Sequence, residues 1–258
     1  MNKNTETKSP LKLCLLQVVF SPVLNMGNYI PGIQDQLREN GFPLFETNKT
    51  FTINQSNGQK ELNQNGWIFK TLDSEELFIV YQDAVFFQVA DYSGFDAFVE
   101  KFRKLINIFF AAIGFSPNGA LMRIGLRYVN CFRGPEWKER LNESYCGIVL
   151  PDLVLHKEAK PLFSSLIQTA SDLGKKGVGN LVVKVYQNDR GVEIPLDLIS
   201  CSEAESSGEK LITFLDIDHF VQFARPAEMT PDGLFEFVGK LHDVSLVVFN
   251  SAIRKPVK

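Results

Sequence analysis

Leu77–Ile113 reads LFIVYQDAVFFQVADYSGFDAFVEKFRKLINIFFAAI. Its first part holds two short runs, Leu77 to Tyr81 and Ala84 to Val89, rich in Phe, Ile and Val and parted by Gln82-Asp83. Runs of that length and composition, broken by polar turns, predict adjacent β-strands. The second part changes period: Phe95, Phe98, Val99, Phe102, Ile106, Phe109 and Ile113 fall on one stripe at helical spacing. Ser93 with Asp96 predicts a capping box at the start of that helix, and Gly114 with Pro117 predicts its end. A helix with so wide an apolar stripe has to bury it, and the strands beside it offer the surface, so the fold class is α+β.

Upstream, a polar stretch over residues 1–9 leads into a nearly continuous apolar strand, Leu11 to Phe20, closed by Ser21-Pro22. Ile30, Ile33 and Leu37 predict a helix that stops at Gly41. From Thr50 to Tyr92 the pattern is β, a meander of about four strands that includes Phe51 to Ile53 and Trp67 to Phe69. Downstream, Leu121 to Phe132 predicts a strand, and Gly134 to Lys160 reads as surface loop. Leu162 to Ala170 has helical spacing. Strands are expected at Leu181 to Tyr186, Val192 to Ile199 and Lys210 to Phe220, with Pro195 favouring an edge or bulge and 202–209 a polar loop. Thr230 caps a last helix, with Pro231 at its first position and Leu234, Val238, Leu241, Ser245, Val248 and Ala252 on its buried stripe.

The order of elements divides the chain into 1–118 and 119–258, strand, helix, about four strands and helix, then strand, irregular or helical segment, about three strands and helix. This predicts one compact unit of two pseudo-duplicated halves, each a mainly antiparallel sheet packed on a long helix, in the manner of a helix-grip fold. At 258 residues the chain has ample length for a real core, and 45% hydrophobic against 22% charged residues is ordinary globular usage. The 22 phenylalanines are the one oddity, and they suit the inside of a sheet and helix sandwich.

A formal charge of −3 offers no global attraction to phosphate backbones or anionic lipid. The four cysteines, Cys14, Cys131, Cys146 and Cys201, are scattered with no CxxC and are expected to be reduced thiols. The N-terminus lacks an apolar signal core, and the longest apolar stretch, Leu105 to Phe115, falls short of the ~20 residues that span a bilayer. A cytoplasmic protein is expected.

Two segments concentrate charge. Arg123, Gly125 and Arg127 share one strand face, as do Asp216 and Asp218, because side chains alternate with period two. Two arginines about a glycine could clamp a phosphate or carboxylate. Two carboxylates could hold a divalent cation or act as an acid and base pair. The simpler reading is that the arginines and aspartates neutralise each other across neighbouring strands. His242, at the edge of the last helix's stripe, reads as a hydrogen-bonded boundary residue, and a three-histidine site would need His156, His219 and His242 together. Gly174-Lys175-Lys176-Gly177-Val178-Gly179 lacks the GK[ST] ending and precedes a strand, so it reads as a connection. Pro151-Asp152 and Glu158-Ala159-Lys160 spell a nuclease-like pattern whose five-residue gap is too short for paired strands.

At Leu126-Arg127-Tyr128-Val129-Asn130, Leu215-Asp216-Ile217-Asp218, Leu241-His242 and Val18-Val19-Phe20-Ser21-Pro22, the chain resembles a sporadically distributed bacterial family of unknown function. The resemblance implies a bacterial cytoplasmic protein, with a patchy distribution like that of genes on mobile or defence-related elements. It supplies no catalytic residues.

With no complete catalytic motif, the leading expectation is a non-enzymatic binding or sensor protein for a partner protein or small anionic ligand. Its candidate ligand-binding residues are Arg123, Arg127, Tyr128, Asn130 and His242. The alternative is a metal-dependent hydrolase or nuclease using Asp216 and Asp218, with His219 or His242 in support. No cofactor is predicted, and a divalent metal enters only under that alternative. Nucleic-acid binding is a third reading, weakened by a pI near 5.7.

Overall fold

The computed structural model describes residues 9–53, 60–115, 119–134, 137–146, 162, 164–195, 197–199, 210–227 and 230–254. The chain forms β1 (Leu11–Phe20), α1 (Met26–Glu39), β2 (Leu44–Ile53), β3 (Lys60–Lys70), β4 (Glu76–Val80), β5 (Ala84–Val89) and α2 (Phe95–Ile113). It continues with β6 (Leu121–Arg133), β7 (Ser164–Asp172), β8 (Val178–Asn188), β9 (Ile212–Ala227) and α3 (Pro231–Ala252). The protein is α+β, as its alternating patterns predict.

All nine strands join one antiparallel sheet in the order β2-β3-β4-β5-β1-β6-β9-β8-β7. Two separate sheets were expected. They are one because β1 pairs with β6 along most of its length, Cys14 opposite Tyr128 and Val18 opposite Ile124. A strand as apolar as β1 is best buried in the middle of a sheet, with a neighbour on each side.

The three helices pack on one face. Leu16, Val18 and Phe20 of β1, Phe78 and Val80 of β4, Phe87 of β5 and Leu126 of β6 meet Phe98, Phe102, Leu105 and Phe109 of α2 and Leu234, Val238 and Leu241 of α3. Phenylalanine does much of this filling: Phe87 stacks on Phe98 and Phe102 at centroid distances of 5.1 and 6.1 Å, and Phe20 lies against Phe109 at 5.5 Å. Each such ring contributes roughly 1.5–3 kcal/mol by leaving water. The C-terminal part of α3 covers β8 and β9, where Val244, Val248 and Phe249 pack on Leu181, Val183 and Ile217. No helix among the described residues is long and apolar enough to cross a membrane.

Local expectations fail at four places, each with a cause. Ser93 does not cap α2; Gly94 is the N-cap at φ 136°, a conformation that glycine adopts without a Cβ penalty. Leu162 to Ala170 is not helical, since Ser164–Asp172 is β7, paired residue for residue with β8. Its apolar spacing fits either period, and a ready partner strand decided it. Val192 to Ile199 forms no strand among its described residues; Gly191 turns at φ 71° and Pro195, with no N–H for a ladder, opens a turn closed by Leu198 N–H to its carbonyl. Lys210 to Phe220 becomes a longer strand that runs on to Ala227. The capping of α3 by Thr230, which accepts from the Gly233 N–H, and the Gly174–Gly177 connection between β7 and β8 are as expected. His156, Cys201, the nuclease-like pattern at 151–160 and the loop at 202–209 lie outside the described residues.

Candidate functional site

The alternation of β6 sends its polar side chains to opposite sides of the sheet, and this separates the five candidate ligand-binding residues. Arg123 and Arg127 lie on the face away from the helices, with Leu13, Leu15 and Phe214. Tyr128 and Asn130 lie on the helix-covered face, where His242 of α3 reaches Tyr128. No single site contains all five.

On the helix-free face Arg127 is fully engaged. Its Nε and Nη2 donate to Asp216 at 2.8 and 2.7 Å, and Nη1 and Nη2 donate to Asp197 at 2.7 and 3.3 Å. Register places Asp218 directly opposite Arg127 and Asp216 opposite Val129, so the forked pair runs diagonally between β6 and β9. Asp216 is 1% exposed, and both of its oxygens go to the guanidinium, which matches a carboxylate's geometry. Burial works against the Arg127 charge, but Asp216 and Asp197 outweigh it and hold its pKa above the ordinary arginine value. Burial likewise works against the Asp197 carboxylate, and Arg127 outweighs it, keeping that group below the usual range.

Asp197 belongs to a strap laid across this face, of which residues 191–195 and 197–199 are described. Glu193 meets Lys12 of β1 at 3.0 Å and Arg133 of β6 at 2.5 Å. The Ile199 carbonyl accepts from Gln88 of β5 at 2.6 Å, and the Val192 carbonyl accepts from Asn188 of β8 at 2.7 Å. Leu198 and Ile199 close over a second apolar cluster around Leu13, Ile79, Val129 and Phe214.

Beyond the strap, half of the face carries no described cover: Gln17, Val19, Tyr81, Phe86, Asp218 and Phe220 are all half-buried there. Arg123 sits among them. Its guanidinium lies 3.8 Å over the Phe220 ring and 3.6 Å from Asp218, longer than a direct hydrogen bond. Its Nε is buried and has no hydrogen-bond partner among the described residues. Gly125 makes room, since a Cβ there would stand 3.3 Å from Phe220 Cβ and 3.7 Å from Arg123 Nε and Gln17 Oε1. Burial raises the Asp218 carboxyl above its ordinary value, with Arg123 pulling the other way.

On the helix-covered face Tyr128 is a hub. Its hydroxyl lies 2.8 Å from His242 Nδ1, Cys14 stands opposite Tyr128 in the β1–β6 register, and the Tyr92 ring meets the Tyr128 ring edge-on at a centroid distance of 6.1 Å. Phe95 stacks on the His242 ring at 3.8 Å. Burial pushes Tyr92 up to about 12, raises Tyr128 and Cys14 above their ordinary values, and lowers His242, so the cluster is uncharged at neutral pH. Asn130, 2% exposed, donates to the Leu215 carbonyl. His219 is also saturated: its Nδ1 donates to the Leu241 carbonyl at 3.0 Å, which in a neutral ring leaves Nε2 to accept from Ser171 Oγ at 2.6 Å. Gly179 lies between them, and Leu173, 2% exposed, packs over the same point.

For the metal reading, Asp216 has both oxygens committed to Arg127, and no group of three or more His, Cys, Asp or Glu residues among those described could hold an ion. Nothing in the local pattern marks Asp197, Glu193, Gln88 or Ser171 as partners. Each lies 48 or more residues from the group it meets, where periodicity carries no information. No family model and no curated protein matches this chain.

Proposed function

We propose that this chain is a non-enzymatic binding protein that holds a small anion, or a carboxylate of a partner protein, on the open half of its helix-free sheet face, with Arg123 as the anchor. The observation that carries this reading is the state of Arg123. It is a permanent cation whose buried Nε has no hydrogen-bond partner among the described residues, set over Phe220 beside the bare backbone of Gly125, with the Asp218 carboxylate 3.6 Å away. A planar anion bridging Nε and Nη2 would satisfy the donor that Asp218 leaves unmet. Arg127 plays no part in binding. It holds the strap that bounds the open half. Tyr128, Asn130 and His242 serve the core on the other face.

The duplicated-halves reading is supported by strand order. In 1–118 the first strand, β1, is innermost with the last, β5, beside it and β4, β3 and β2 following outward; in 119–258 β6 is innermost, then β9, β8 and β7. The helix-grip likeness has less behind it, because the helix face is filled by phenylalanine. Membership of the sporadically distributed bacterial family, a cytoplasmic location and a link to mobile or defence elements remain proposals that rest on the sequence markers. The metal-dependent hydrolase has less support than binding, for want of a ligand set around Asp216 and Asp218.

Thermal unfolding of the whole chain with inorganic phosphate or citrate at millimolar concentration tests the proposal. A ligand of the folded state raises Tm, by an amount that grows with the logarithm of its concentration above Kd. A rise in the wild type that disappears in Arg123→Gln supports it. No rise with either anion, or an equal rise in the variant, overturns it.

A further inference from the structure

The two edges of the sheet are built differently. The outer strand β2 is guarded: its pairing with β3 shifts register between Thr50 and Phe51, and Glu46 carries a charge paired with Lys70 at 2.7 Å. Bulges and charges of this kind keep an edge from recruiting another strand. At the other end β7 has no such shift, and its one charge, Asp172, is its last residue. Ser164 to Ser171 contains no charged residue and no proline, and its pairing with β8 runs through all nine residues without a shift. Its inner edge is therefore saturated, and its outer edge, which no described strand pairs with, presents a row of backbone donors and acceptors. Apolar side chains stand on both of its faces, Leu166 62% exposed on the helix-free side and Ile167 44% exposed on the helix side. The cover of α3 reaches β8 and stops short of β7.

We propose that this edge is a dimerisation surface, and that two copies of the chain join through β7 about a two-fold axis perpendicular to the sheet. The strand itself points to a second copy as the occupant. Paired antiparallel about Gln168, it matches over its full length: Leu166 faces Ala170 of the second copy, Ile167 faces Thr169, Ser165 faces Ser171 and Ser164 faces Asp172. No like charges meet, and apolar or β-branched residues meet at the centre, where cross-strand pairs stabilise. Residue numbers that sum to an even value keep each side chain on its own face, so both helix layers lie on one side of a single continuous sheet. An isologous contact of this kind closes on itself and leaves β2 as the only edge at either end. A ladder of nine residues, about 30 Å long, is a small interface, so a weak dimer that fills with concentration is expected.

The test is the mass of the full chain in solution, by light scattering or sedimentation, followed up to submillimolar concentration, for the wild type and for two substitutions at the centre of symmetry. The wild type is expected at about twice 29.1 kDa. Gln168→Lys sets like charges opposite each other and is expected to halve the mass, while Thr47→Lys on the guarded β2 edge leaves it unchanged. Gln168→Cys is expected to give an intermolecular disulfide under oxidation that wild type treated alike does not form. Opposed Cα atoms in such a ladder lie about 4.5–5.5 Å apart, within disulfide reach. A wild type that stays at 29.1 kDa overturns the proposal and leaves β7 as an edge for a different chain. So does a dimer that survives Gln168→Lys while Gln168→Cys fails to cross-link.

Discussion

The helix-covered and helix-free faces of the sheet use the same strands and hold together by different means. On the first, phenylalanine rings from α2 interdigitate with rings from β1, β4 and β5, and the few polar groups, His219, Asn130 and Tyr128, are satisfied inside the core. On the second, a charged fork joins β6 to β9, and the strap is tied down by side chains from four strands. Apolar packing is non-directional and survives small rearrangement, whereas ion pairs out of water depend on geometry and on every member being present. The first face should therefore lose stability in proportion to the volume removed. The second should depend on which partner is left behind.

The largest effect belongs to the covered face. Phe109→Ala removes a ring that is fully buried between Phe20, Phe78 and Phe110, and should cost about 3–5 kcal/mol in urea unfolding. Phe220→Ala, on the half-buried open face, should cost about 1 kcal/mol. Equal losses would erase the distinction between the faces.

Arg127→Met comes next, at about 3 kcal/mol or more, because it leaves the Asp216 carboxylate, 1% exposed, without the guanidinium that takes both of its oxygens. Adding Asp216→Leu should recover most of that loss, since the expense lies in the unpaired charge and not in the absence of the pair. If the double variant is as weak as the single, the fork itself is what stabilises the face.

A smaller loss is expected from Gly179→Ala. Its Cβ would stand 2.6 Å from Ser171 Oγ and 2.7 Å from His219 Nε2, so the methyl separates that pair and loosens β7 from β8. Roughly 1–3 kcal/mol is expected, with faster amide exchange confined to β7 and β8. Exchange that quickens across the whole sheet would mean that this polar link supports more than one edge.

How much of this was legible in the sequence follows the same division. The period of Phe95 to Ile113 and the apolar runs of β1, β4 and β5 are set by the covered face, and they predicted both the elements and the core. The neutralisation of Arg127 by Asp216 was also readable, because strand alternation limits which charges can meet. What could not be read was anything decided by long-range pairing. β7 has helical spacing and became a strand because β8 was there, and Val192 to Ile199 has strand alternation and became a strap because Pro195 could not donate and Arg127 held Asp197. The scatter of Arg123, Arg127, Tyr128, Asn130 and His242 over two faces has the same origin. Neighbours in sequence on β6 are on opposite sides of the sheet.

The smallest effect tests whether the helix-free face is uniformly a set of satisfied charges. Asp197 and Asp218 lie on it with opposite shifts. The carboxyl of Asp197 is held low, so its pairing stabilises the fold above the unfolded value of about 3.9 and that contribution disappears as pH falls through the lower folded value. Asp218 is held high by burial. Its ionisation opposes folding, so the fold is favoured at low pH and loses that advantage as pH rises from the unfolded value through the raised folded one. Asp197→Asn should then cost about 0.5 kcal/mol near neutral pH, a small figure because its side chain is 60% exposed and screened, and should flatten the acid limb of the stability curve. Asp218→Asn should leave stability unchanged or slightly raised at neutral pH. A marked loss in Asp218→Asn would mean that the 3.6 Å contact with Arg123 is a working ion pair, and the arginine would then have no spare capacity for an anion.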